Sequence, residues 1–131
     1  MSIDNIYDEI DDLRQYIISQ VGVNAEIGNK DTDPNQYPMI KILFDEDGQT
    51  HFKDVKSTVI DMPMSLRIIS NKDEEIEAFK TLQKLILKIN QFKDHKGHKL
   101  EGSISPEYVE ETKTYEINVL YNIKLFIQDE N

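Results

Sequence analysis

His95 and His98 stand three residues apart in KDHKGHK, a spacing that could put two imidazoles on one divalent cation. The setting argues otherwise. Lys93, Lys96 and Lys99 surround the pair and would repel a cation, and neither a cysteine nor a fixed carboxylate completes a ligand set. Segment 93–99 is therefore expected to be a solvated basic turn around Gly97. Asp45, Asp47 and Gly48 in DEDG resemble a fragment of a calcium loop, but the third acidic position and the later bidentate Glu are missing at the required spacing, and a tight hairpin accounts for the stretch. Two carboxylates can act as acid and base in hydrolysis. Here the acids are spread over helix faces and turns, and none stands in an apolar setting that would shift its pKa. There is no G-x-S-x-G elbow, no phosphate-cradling glycine loop and no cysteine nucleophile, and the isolated His51 reads as a strand surface residue. The expectation is a protein that is not an enzyme, with no catalytic residues, no metal site and no cofactor. A carboxylate-based hydrolase is the competing reading, which divalent-metal binding at clustered acids would support.

The elements that position these residues follow from periodicity. Ile3, Ile6, Ile10, Leu13, Ile17 and Val21 recur every three or four residues, one stripe of a helix over about 2–21. Ser2 is placed to cap it, early acids suit the positive end of its dipole, and Gly22 stops it. GNKDTDPNQYP, residues 28–38, is polar and turn-rich and reads as an exposed loop. Met39–Phe44 (MIKILF) is a short strand, and a second strand near 50–55 would close a hairpin with it across DEDG. In TVIDMPMSLRII, Met62, Met64, Leu66 and Ile68 share one face while Asp61, Ser65 and Arg67 take the other, and Pro63 points to an edge position or a bulge.

A second helix is expected over about 72–92, capped by Asn71 or Ser70, with Ile76, Phe79, Leu82, Ile86 and Ile89 as its stripe and Leu85 and Phe92 widening it. A strand near 103–110 and a turn at 111–113 lead to TYEINVLYNIKLFIQ, residues 114–128, where apolar residues alternate without a break. That strand would span roughly 46 Å against roughly 31 Å for the helix. Its second face carries Leu120 and Phe126, and an overhanging strand with apolar residues on both faces is expected to invite a neighbouring subunit. The tyrosines, Tyr37 at the loop exit among them, suit an interface or sheet packing equally well. The fold class is α+β: a mainly antiparallel sheet with a long amphipathic helix packed on one face, an N-terminal helix, and the 131 residues in one domain.

Composition narrows the partners. The net charge of −10, from 25 acidic and 15 basic residues, argues against sequence-specific or general nucleic-acid binding, which needs clustered Lys and Arg. The acidic first twenty residues do not read as a signal peptide, no apolar run is long enough to span a membrane, and the lack of cysteine fits a reducing compartment.

The stretches IYDEIDDLRQYI, SLRIISNKDEEIEAFKTLQKLILKI and the pair ISPEYVEE / KTYEINVLYNIKLFI, in that order, resemble the tail terminator (tail completion) proteins of long-tailed bacteriophages. The resemblance covers about residues 3–127 and rests on element order and apolar pattern, without an invariant motif. It implies a virion protein, assembled in the host cytoplasm, that forms a ring, usually of six subunits, at the head-proximal end of the tail. Such a ring caps the tail tube, joins it to a head-completion or neck protein, and lets DNA pass through an acidic lumen. On this reading strand 114–128, with Leu120 and Phe126, supplies a neighbour-binding edge, and loop 28–38, with Asp33, Pro34 and Tyr37, a reaching arm. The alternatives are another neck or head–tail completion protein, or a monomeric adaptor that binds one partner through its sheet edge.

Overall fold

The structure, a computed structural model, describes residues 3–28, 32–44, 53–56 and 59–126. Along the chain come helix α1 (Ile3–Val21), strands β1 (Asn24–Ile27), β2 (Met39–Leu43), β3 (Lys53–Lys56) and β4 (Val59–Asn71), helix α2 (Glu75–Lys96), and strands β5 (Lys99–Val109) and β6 (Thr114–Phe126). Five strands follow the spatial order β1-β2-β4-β6-β5, and β3 pairs with one end of β4. All pairings are antiparallel except β1 with β2. The fold is α+β with a mixed, mostly antiparallel sheet. The DEDG turn lies outside the described residues.

Both helices cover one face of the sheet. Alternation sends Ile40 and Ile42 of β2, Leu66 and Ile68 of β4, and Ile117, Val119, Tyr121 and Ile123 of β6 into one core, where each is fully buried. Ile10, Leu13, Ile17 and Val21 of the predicted α1 stripe join them. Gly22 ends α1 with a φ of 81°, a left-handed conformation that a Cβ would penalise. The residues that end α2 do the same work: Gly97 at φ 73° turns its N–H, with that of His98 at 2.8 Å, back to the Lys93 carbonyl. Lys93–Lys96 are therefore the last helical turn of α2, not a solvated loop.

The sheet corrects several expectations. β6 is not an overhanging edge: all thirteen of its residues pair with β4, and on its other side β5 pairs with it from Thr114 to Asn122. Among the described residues the outer strands of the five are β5 and the short β1, and β3 is a further short edge beside the end of β4. β3 pairs with β4, so the expected hairpin with β2 does not form. β1 was not foreseen at all. Pro63 lies where β4 has lost β2, which pairs with 65–69, and has not yet met β3, which pairs with 59–61. A residue without an N–H fits that gap. Segment 28–38 links parallel neighbours, so it must run back along the sheet as a crossover. Its described part does so over the open face: the short 3-10 helix Pro34–Gln36 is tied to β1 by Asn24 Nδ2 donating to Gln36 Oε1 at 2.5 Å, and Thr32 Oγ1 donates to Glu26 Oε2 at 3.1 Å.

Helix α2 is also rotated from its expected setting. Its buried positions are Ala78, Thr81, Leu85, Ile89 and Phe92, with Leu82 and Ile86 half-buried, whereas Ile76 and Phe79 are exposed. Neither Asn71 nor Ser70 caps it, because both belong to β4. The cap position is Glu74, whose side chain makes no capping hydrogen bond. Glu74→Ser should therefore raise stability by about 0.5–1 kcal/mol in urea unfolding, since a short hydroxyl can accept an orphan N–H of the first turn that the longer Glu leaves open. An unchanged midpoint would show that the N–H groups are already satisfied by water.

Candidate functional site

Two surfaces stand apart from the core. The first is the flank formed by edge strand β5 and the start of α2. Ile104 and Tyr108 of β5 are 41% and 45% exposed, and they point to the helix side, because Ile104 pairs with Val119 and Tyr108 with Tyr115. The Phe79 ring of α2, 45% exposed, lies 5.7 Å from that of Tyr115. Tyr108, Tyr115 and Phe79 thus follow one another across the surface, with Ile76, 70% exposed, three residues before Phe79 on α2. Acids rim this flank at Glu75, Glu77, Glu110 and Glu111, all exposed.

The second surface is the open face of the sheet, opposite the helices. Alternation should leave polar residues there in water. Instead, strand pairing lines up Glu26, Lys41, Arg67, Asn118 and Ser105 in one row across all five strands. The next row holds Met39, Ile69, Glu116 and Glu107. Lys41 is only 6% exposed and Glu116 7%. Such burial is tolerated only with partners. Arg67 Nε donates to Asn118 Oδ1 at 2.7 Å, and its Nη1 lies 3.5 Å from Glu116 Oε1. The Thr114 hydroxyl donates to Glu116 Oε2 at 2.5 Å. That hydroxyl has one proton, so the 2.6 Å contact with Thr112 must run from Thr112 to Thr114. Above this network lies a pocket of about 500 Å³, with Pro34 and Tyr37 among its walls and Lys41, Arg67, Glu107 and Glu116 along its base.

The residues expected at an interface are thus split between places. Pro34 and Tyr37 come together at the pocket, while exposed Asp33 accepts the Asn35 N–H at 3.0 Å and caps the 3-10 helix. Segment 32–38 is a wall of this pocket instead of a reaching arm. Leu120 is 41% exposed on the open face, paired with Ser65 and two rows from Glu116. Phe126 pairs with Val59 at the end of β6, and its side chain lies outside the described residues. Lys41, Glu107 and Glu116 were missed. Each is a charge in a strand segment of apolar and small residues, but only the strand order makes them neighbours.

His98 departs furthest from expectation. It is buried, its ring packed edge-on against Phe92 and Tyr121 at 5.8 and 5.5 Å between centroids. Nδ1 meets the Tyr121 hydroxyl at 2.9 Å, and Nε2 stands 3.8 Å from Glu9 Oε2 without a hydrogen bond. Burial, aided by the Lys96 charge, lowers its pKa to about 4, and burial pushes the Tyr121 phenol up. Lys96 Nζ bridges to Glu9 at 3.5 Å and Asp12 at 3.4 Å, linking α2 to α1. Beside it a groove of about 550 Å³ between the helices holds Tyr16, Phe92 and His95. His95 is exposed while His98 is buried, so the pair does not converge as ligands. Among the described residues no three His, Cys, Asp or Glu side chains are grouped to hold a metal ion, and no helix is long and apolar enough to cross a membrane. No protein-family model and no curated protein matches this chain.

Proposed function

We propose that the protein is a structural assembly subunit of the tail-terminator kind, one member of a ring that caps a tail tube and joins it to a head. The observation that carries this reading is the β5 flank, a sheet edge that no other described strand pairs, bordered by exposed Ile104, Tyr108, Phe79 and Ile76. An exposed edge with an apolar border is a template for another chain, and a contact between two different patches generates rings when its rotation closes. The order of elements also agrees with the layout that the resemblance rests on, with β4 running into α2 through three residues and β5–β6 as the closing hairpin. The pairing edge in this reading is β5, not β6. The exposed carboxylates around it suit a lumen through which phosphates slide without sticking.

Native mass spectrometry with negative-stain imaging tests the reading. A closed ring is expected, and a monomer at every concentration up to about 1 mM, where association would be worth less than about 4 kcal/mol, overturns it. Tyr108→Asp and Ile104→Asp should each weaken assembly at least about tenfold while circular dichroism stays unchanged, because a charge at a buried contact is left unpaired. Leu120→Asp, on the other face, separates the two surfaces: if it alone dissociates the ring, the interface lies on the open face and not on the β5 flank.

A further inference from the structure

Helix α2 carries a second line of contact positions on the side that faces away from the sheet. Its buried residues are Ala78, Thr81, Leu85, Ile89 and Phe92. At 3.6 residues per turn, Ile76, Lys80, Gln83 and Leu87 lie opposite them. Ile76 is 70% exposed and Leu87 61%, the most exposed large apolar side chains among the described residues. The successive spacings of four, three and four are those of a seam between two helices, in which each side chain inserts among residues of the facing helix. One flank of this seam is charged, with exposed Glu77 and Lys84. The other is apolar, with exposed Phe79 and half-buried Ile86.

We propose that this face binds the same face of a second copy of the chain, with the two α2 helices antiparallel about a two-fold axis. The face is complementary to itself in that arrangement alone. With Ile76 against Leu87 of the second copy, the seam sets Lys80 against Gln83 and closes symmetrically. Like flanks then meet, so Glu77 faces Lys84 of the second copy on one side, and Phe79 faces Ile86 on the other, each twice. A parallel pair would set Lys80 against Lys80 and Phe79 against Lys84, and would align the two helix dipoles unfavourably. The charges therefore choose the antiparallel register. Glu77 already lies 3.6 Å from Lys80 on its own helix, but both side chains are largely in water, which leaves the carboxylate open to a second cation. The Lys80–Gln83 layers are polar, which costs stability and fixes the register. This contact goes beyond the ring reading: it joins one patch to itself, and Ile104 and Tyr108 take no part in it.

Sedimentation equilibrium on the full chain tests the pairing in a Tyr108→Asp background, which removes the ring contact proposed above. A dimer is expected at about 100 μM. Glu77→Lys and Lys84→Glu, both exposed changes that leave circular dichroism unaltered, should each weaken the dimer about tenfold, because each puts two pairs of like charges across the seam. An equimolar mixture of the two variants should regain the original affinity, since every Glu77–Lys84 position then holds opposite charges again. Leu87→Asp should dissociate the dimer, because it leaves a charge unpaired at a buried contact. The proposal is overturned by a monomer at every concentration up to about 1 mM, by a dimer that Leu87→Asp or both charge changes leave intact, or by a mixture that does not recover. The ring reading fails separately, if the chain with Tyr108 in place forms this dimer and nothing larger.

Discussion

Lowering the pH from 7 to 4 should cost the folded protein about 3 kcal/mol through His98 alone. The unfolded chain protonates this imidazole with a pKa of 6.5, whereas the folded chain resists until about 4, because burial against Phe92 and Tyr121 strips the cation of water and Lys96 repels it. Between those values the unfolded state holds a proton that the folded state does not, so acid favours unfolding. The stability is fully present above pH 6.5, falls as pH descends from 6.5 to 4, and is lost below. At about 1.4 kcal/mol for each tenfold change in proton affinity, the fall from 6.5 to about 4 corresponds to the stated 3 kcal/mol. The groups that face the ring are Tyr121 on β6, Glu9 on α1 and Lys96 on α2. Carboxylates elsewhere titrate over part of the same range, so the measurement is a difference: urea unfolding of the native protein and of His98→Gln at several pH values. The gap between the two should narrow by about 3 kcal/mol from pH 7 to 4, and a constant gap would contradict the buried, neutral imidazole.

Arg67→Met should destabilise the protein by about 2–3 kcal/mol, and adding Glu116→Gln should restore more than half of that. Removing the guanidinium leaves the Glu116 carboxylate, whose side chain is 9% exposed, with the Thr114 hydroxyl, and it takes the donor from Asn118. The magnitude sits at the low end for a buried pair because the Arg67 side chain is 21% exposed and water can reach it. Neutralising the orphaned charge removes most of the penalty, so the two changes should be strongly non-additive in a double-mutant cycle read by urea unfolding. Additivity within about 0.5 kcal/mol would mean that the pair is not coupled and that the network on the open face is merely solvated.

Much of the fold was legible from local pattern. The α1 stripe, the unbroken alternation of β6 and the glycine stop at Gly22 are local properties, and they came out in the expected places, whereas Gly97, expected inside a solvated turn, ends α2. The setting of α2 was not legible, because the helix carries apolar residues on two flanks. Ranking by hydrophobicity favours Ile76 and Phe79, but the sheet takes Ala78 and Thr81, small side chains that let the start of the helix lie close to it. Thr81 keeps its hydroxyl satisfied by donating to the Glu77 carbonyl at 2.9 Å. Large apolar residues displaced from that contact form the exposed flank on which the assembly proposal rests. Pro106 was an available signal for the edge, since a residue without an N–H is unsuited to a strand paired on both sides, and it sits in β5.

By itself the sequence determined the two helices to within a turn and the strands other than β1, where two of the turns fall, and which face of each long strand is apolar, because 3.6-fold and two-fold periodicity act within a few neighbouring residues. Only the tertiary structure decided that β6 is central and β5 an edge, that residues 32–38 fold over the open face, and that a histidine just past a helix cap is sealed between Phe92 and Tyr121. It also decided that charges 26, 40 and 49 residues apart in sequence, from Lys41 to Arg67, Arg67 to Glu107 and Arg67 to Glu116, meet in one pocket. Strand order and register are fixed by how whole faces bury against one another, and no single segment encodes that sum.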